Sequence, residues 1–207
     1  MRAALLACLL LAFPALAAER RLSIDPRQTE LVVRTWKAGF VAGLGHNHVI
    51  RATEATGELT WDPQDPAATR VSVTIPVRAL IADEPALRRK YGEPADLSES
   101  DRRKLTENML GREQLDAKRF PEIRFVSTQL EQGEKGALVM VGKLTLHGVT
   151  RMVRVPVTIT EKDGVPIGDA KFPLRTSDYG INPNRAALGA VGNQDEVQLV
   201  IHLVGLP

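Results

Sequence analysis

A chain of 207 residues lies in the range of a single domain, and its formal net charge of +2 lacks the basic excess of a nucleic-acid binder. Its one cysteine, Cys8, rules out a disulfide within the chain and a cysteine-built metal site.

The first segment reads as a secretory signal peptide, residues 1–17. Met1-Arg2 is a short positive start, Ala3 to Ala17 is an apolar run, and Ala15-Leu16-Ala17 has the small-x-small form of a cleavage site. Cleavage before Ala18 is expected to remove Arg2 and lower the charge from +2 to +1. Cys8 lies too early in the apolar run to serve as a lipid attachment site. The expected mature domain is 18–207, periplasmic and free of thiols. It must therefore rely on its apolar core, and a chain of this length can bury a sufficient one.

Alternation with period two, the pattern of half-buried strands, follows along most of the chain. Glu30 to Ala38 sets Leu31, Val33 and Thr35 on one face. Arg51 to Trp61 reads as a strand ending at the turn signal Asp62-Pro63. Arg70 to Val77 places Val71, Val73, Ile75 and Val77 together. Ile123, Phe125 and Ser127 share a face, and Leu138, Met140, Gly142, Leu144 and Leu146 share the next. After the tight turn at His147-Gly148, a long strand aligns Val149, Arg151, Val153, Val155, Val157 and Ile159. Ala170, Phe172, Leu174 and Thr176 form another strand, and Val197, Leu199, Ile201 and Leu203 form the last. Such spacing describes an antiparallel meander of eight or more strands. It fits a closed barrel or a two-sheet sandwich equally well.

Ala79 to Arg119 departs from the pattern. Ser98 reads as an N-cap, with Glu99 and Asp101 in the first turn and Leu105, Met109 and Leu110 at helical spacing. A helix over Ser98–Leu110 is predicted, with a short turn over Glu113–Lys118 and a surface excursion over Glu84–Asp96. A connection this long is commonly functional, and here it has the size to cover one end of a barrel.

Two local motifs carry polar chemistry. In Gly43-Leu44-Gly45-His46-Asn47-His48, residues two apart on a strand face the same way, so His46 and His48 can converge. That leaves open a structural hydrogen bond, contact with a ligand headgroup, or metal binding, although a zinc site needs three or four protein ligands. His147 and His202 have no evident relation to this pair. Tyr179, in Asp178-Tyr179-Gly180, has an apolar ring and a polar tip suited to a pocket mouth or to a packed turn. Arg185 is a candidate headgroup contact. No nucleophile elbow, P-loop or His-Glu-x-x-His motif occurs.

Phe120, Pro121, Ile123, Phe125 and Ser127, followed by Gly142, Leu144, Thr145, Leu146, Gly148, Val149 and Thr150, make up two phrases. With them the chain resembles the YceI-like family of periplasmic lipid-binding barrels. The resemblance extends from Leu22 to the last strand. It implies an all-β fold: an antiparallel, lipocalin-like extended barrel of about eight strands, with the helical insertion at 98–118. It also implies non-catalytic binding and transport of a long-chain amphiphile, such as an isoprenoid, a quinone-like molecule or a fatty-acid derivative. The ligand would lie against Val71, Val73, Ile75, Phe125, Val153, Val155 and Val157, with His46, His48 and Tyr179 near its head. No cofactor is expected. A transient inner-membrane partner and a homodimer remain open. Two rival readings stand beside this one: a metal- or haem-linked protein using His46 and His48, and a stress-related module with a filled core.

Overall fold

The computed structural model describes residues 20–39, 45–183, 185–186 and 191–206. The expected signal peptide with Cys8, and Gly43 and Leu44 of the histidine motif, lie outside the described residues, as does the side chain of Arg185.

The strands are β1 (Arg20–Ile24), β2 (Glu30–Thr35), β3 (Lys37–Ala38), β4 (His48–Ala52), β5 (Thr56–Trp61), β6 (Arg70–Pro76) and β7 (Leu80–Ala82). After two helices, α1 (Pro85–Lys90) and α2 (Glu99–Leu110), come β8 (Glu122–Gln132), β9 (Leu138–Leu146), β10 (Val149–Lys162) and β11 (Val165–Arg175). The short β12 (Arg185–Ala186) and β13 (Val191–Asn193) precede β14 (Glu196–Leu206).

Neighbouring strands follow the order β1-β5-β6-β8-β9-β10-β11-β14, and β14 returns to β1 through Ser23↔Leu206 and Ile24↔Gly205. That closure makes an eight-stranded antiparallel barrel rather than a sandwich. Closure removes the free edges a sandwich would carry. β14 is long enough to pair also with β2 at Gln198–His202, and β2-β4-β7 extends the wall at one end. The two ends are called the floor, near Trp61 and the β10–β11 turn, and the mouth, near His48 and α2.

Turn chemistry sets the register. His147-Gly148 and Asp163-Gly164 have φ of 50° and 74°, and of 53° and 77°. Paired positive φ values define the two-residue hairpin turn that matches strand twist. At Gly148 an added Cβ would lie 2.4 Å from the Phe120 ring, so only glycine fits under it.

Four expected strands end differently. Arg51–Trp61 is two strands, because the chain changes neighbours: β4 pairs with β2 and β7, β5 with β1 and β6. At the bend, Thr53 binds the Ala79 carbonyl through both its N–H (2.8 Å) and its hydroxyl (2.9 Å). The strand from Glu30 stops at Thr35, and Lys37–Ala38 joins β13 in a separate small sheet. Val77 and Thr176 each begin a single 3-10 turn.

The predicted helix is present as α2, and the Ser98 hydroxyl accepts from the Asp101 N–H at 3.1 Å. The surface excursion at Glu84–Asp96 is corrected: it holds α1, opened by Pro85, with Leu87 buried against Val32 and Val49 on the outer face of β2 and β4. Arg88 of this helix is 1% exposed.

Candidate functional site

The inward positions of the strands do not fill the barrel. They enclose a cavity of about 600 Å³, within the ordinary range for small-molecule sites. Val71, Val73 and Ile75 of β6, Phe125 of β8, and Val153, Val155 and Val157 of β10 all line it. Alternation along each strand brings them together from three strands. Phe125 is held by its neighbour: a Cβ at Gly142 would lie 2.6 Å from the ring. Ser127 lies just beyond, where its hydroxyl accepts from the Val71 N–H at 2.8 Å beside an irregularity in the β8–β9 register.

Leu22, Ile24, Leu59, Trp61 and Leu203 close the floor as one packed cluster. The Trp61 indole N–H donates to Glu161 at 2.8 Å, and Arg20 donates to the Gly164 carbonyl at 2.8 Å.

The mouth is polar. His46, Asn108, Gln114, Asn193 and Gln194 reach the cavity there, and α2 adds Leu105 and Met109 as a cover. His46 is exposed. His48 also lines the cavity, but its imidazole is fixed: Nδ1 lies 2.7 Å from Asp83 Oδ2. Asp83 is fully buried at φ 58°, and its other oxygen accepts from Arg88 (2.7 Å) and the Val49 N–H (2.9 Å). Burial pushes the Asp83 carboxyl up, but the hydrogen bonds from His48, Val49 and Arg88 outweigh it and hold the group below the usual carboxylate range. A carboxylate only accepts, so the His48 Nδ1 carries the hydrogen, and Nε2 makes no hydrogen bond to any described residue. Arg88 also donates to the carbonyls of Asn47 (2.7 Å) and Pro94. The buried charges are thus paired and hydrogen-bonded, as burial requires.

Next to His48 in the β2–β4 register stands Thr35. It lines the cavity, is 7% exposed, and its hydroxyl makes no hydrogen bond to any described residue. Nothing in the sequence distinguished Thr35 from a core threonine, although its place at the end of the Leu31-Val33-Thr35 face was readable. Asp83 and Arg88 were also missed, because they sit among other charges.

Tyr179 is not where a mouth residue would be. It is 1% exposed and packs with Leu144, Leu146 and Ile181, which line the cavity, while its own side chain borders a second, surface pocket beside β10 and β11. Its turn is held to the barrel through its own carbonyl, 3.2 Å from His147 Nδ1. His202 faces outward to Asp169 at 2.7 Å. Neither of these histidines approaches His48, and the described residues contain no group of three or more His, Cys, Asp or Glu that could hold a metal ion.

These features define a closed antiparallel barrel with an apolar hollow, a sealed floor and a polar mouth. The sequence matches the model of the YceI-like domain over residues 22–205, and the chain belongs to that family. It is 33% identical over 181 residues to a UPF0312 protein of Pseudomonas putida, covering 84% of this chain and 81% of that one. It is 28% identical over 168 residues to a UPF0312 protein of Shewanella baltica, covering 78% and 77%. Among solved structures, the fold is similar to Burkholderia cenocepacia BcnA (TM-score 0.66, 20% identity, 87% of this chain and 98% of that one). It is also similar to the Campylobacter jejuni YCEI protein (TM-score 0.54, 15% identity, 76% and 84%).

Proposed function

We propose that this barrel holds one long-chain amphiphile, an isoprenoid, a quinone-like molecule or a fatty-acid derivative, and carries it through the periplasm without changing it chemically. The observation that carries this reading is the cavity of about 600 Å³ walled by aliphatic strand faces. An alkyl chain gains about 0.8 kcal/mol per buried methylene, so ten would contribute roughly 8 kcal/mol before ordering costs. Such a hollow supports this reading over a filled-core module. The head would lie at the mouth, where His48 Nε2 and the Thr35 hydroxyl offer unused hydrogen-bonding capacity beside His46. Asp83 keeps the His48 ring oriented for that contact. Removal of residues 1–17 and export belong to the same reading.

The test uses full-length protein exported from a bacterial host. Native mass spectrometry should find a mature chain beginning at Ala18, with a co-purifying lipid. Val73→Trp and Val155→Trp, on facing parts of the wall, should each abolish binding of cis-parinaric acid, a fluorescent polyene fatty acid, while circular dichroism stays that of the wild type. Undiminished binding in both folded variants would refute an interior site.

A further inference from the structure

The barrel wall is divided at one place. β10 and β11 leave their shared turn paired from Lys162↔Val165 only as far as Val157↔Ala170. β10 nevertheless continues to Val149, paired to β9 throughout, and β11 continues to Arg175, paired to β14. Over 149–156 and 171–175 the two strands keep their outer partners but not each other.

The sequence explains why. Both flanking turns are two-residue hairpins, which fix the parity of the ladders. Odd-numbered residues of β10 exchange hydrogen bonds with β9, so even-numbered ones point toward β11. Continuing the β10–β11 ladder would set Pro156 against Lys171 and Arg154 against Pro173. Each proline lacks the N–H its position needs. Two successive rungs are disabled, and the split runs from there toward the mouth.

A surface pocket of about 310 Å³ occupies the split. Its inner wall is Val153, Phe172 and Leu174, and the same three side chains line the main cavity. A single layer of side chains separates the cavity from the outside here. Met152 stands at the lip, 55% exposed. The rim charges are mixed: Arg151, Arg154 and Arg175 face Asp178 and Glu196, and Arg154 is paired to Glu131 at 2.7 Å. Toward the mouth, the Arg151 guanidinium donates to the Asp178 carbonyl and bridges the split.

We infer that this split is the ligand's entrance, a lateral window through which the chain of the amphiphile slides sideways past Phe172, Val153 and Leu174. The inference rests on the lipid-holding reading above. Sideways entry leaves the packed floor and the α2 cover in place, and the passing chain meets apolar side chains.

Residues 18–207 contain no cysteine, so a tether across the window is clean. The double variant Met152→Cys/Arg175→Cys, at two residues that border the pocket from opposite strands, leaves both prolines in place and is compared reduced and bridged by a short bis-maleimide, with uptake and release of cis-parinaric acid followed by stopped-flow fluorescence. Bridging should slow both rates by about tenfold or more, as locking a gate does, and leave the saturation amplitude unchanged. A second variant, Pro156→Val/Pro173→Val, restores the two N–H groups. It should slow the same rates and bring hydrogen-exchange protection to the Arg154 and Lys171 amides. Equal rates in bridged and reduced protein, or in the restored variant once those amides are protected, overturn the window and place the entrance elsewhere. If reduced protein and wild type take up no cis-parinaric acid at all, the lipid reading itself fails and the window fails with it.

Discussion

At the floor of the barrel, an apolar cluster carries the structure. Leu22, Ile24, Leu59, Trp61 and Leu203 pack together, and the hydrogen bonds of Arg20 and Trp61 tie the cluster to the β10–β11 turn. At the mouth, the wall splits between β10 and β11, and the strands β2, β4 and β7 are held by a buried charge network instead. The difference separates two tasks. An apolar cluster is non-directional and seals. A carboxylate with three donors is directional, and it can hold a loop, a helix and an imidazole in fixed relation beside an opening.

The sharpest way to break that comparison is Asp83→Asn. Asparagine tolerates the left-handed backbone at this position but leaves the Arg88 charge buried without its partner. The loss should be about 3–5 kcal/mol, read as a lower urea midpoint with an unchanged slope. The pH dependence follows from the sign of the shift. The folded carboxyl titrates below its unfolded value of about 3.9, so its contribution is fully present above pH ~4 and is lost as pH falls through the folded value. Urea titrations over a pH series should therefore find a shallower acid loss in Asp83→Asn than in the wild type. An equally steep loss would place the acid sensitivity elsewhere.

Trp61→Ala is the matching cut at the floor. Removing the indole empties the centre of the sealing cluster and should cost about 3 kcal/mol, at the lower end for a buried aromatic because the site already borders a cavity. It should also let a quencher in solution reach bound cis-parinaric acid from the floor side. Quenching unchanged from the wild type would mean that the floor is sealed by the remaining aliphatic residues alone.

The strand pattern, the His147-Gly148 turn and the Ser98 cap were legible in the sequence because each rests on local chemistry. Both phrases of the family resemblance also gain a physical meaning. Phe120 covers Gly148 and Phe125 covers Gly142, so each glycine is the space its aromatic partner needs. Within the candidate site, the cavity-facing valines were legible from period two, but the hollow was not, since a filled and an empty barrel alternate alike. Tyr179 is buried against Leu144 and Leu146 and borders the surface pocket, a placement the sequence left open because an amphipathic ring beside a glycine reads the same in a pocket mouth or a packed turn. Arg88 sits in Leu87-Arg88-Arg89-Lys90, where three neighbouring cations are indistinguishable until Asp83 comes near one of them. Pro156 and Pro173 were visible, but their effect depends on ladder parity, which needs the register of both hairpins.

Ser98→Ala probes the weakest part of the mouth and should have the smallest effect. The Ser98 hydroxyl accepts from the Asp101 N–H at 3.1 Å and donates to the Asp101 carboxylate at 2.6 Å, so it fixes the first turn of α2. The helix has no fully buried residue and covers the cavity with Leu105 and Met109. A lost cap should cost about 1 kcal/mol. Because α2 buries little, that loss should be local: its amides should exchange roughly fivefold faster while those of β9 and β14 keep their wild-type rates. Ligand entry through the lateral window should be unaffected, whereas entry under α2 should accelerate with the fraying of its cover. If β9 and β14 amides accelerate together with α2, the helix belongs to the same cooperative unit as the barrel wall, and the contrast between a sealed floor and a separately stabilised mouth does not hold for this element.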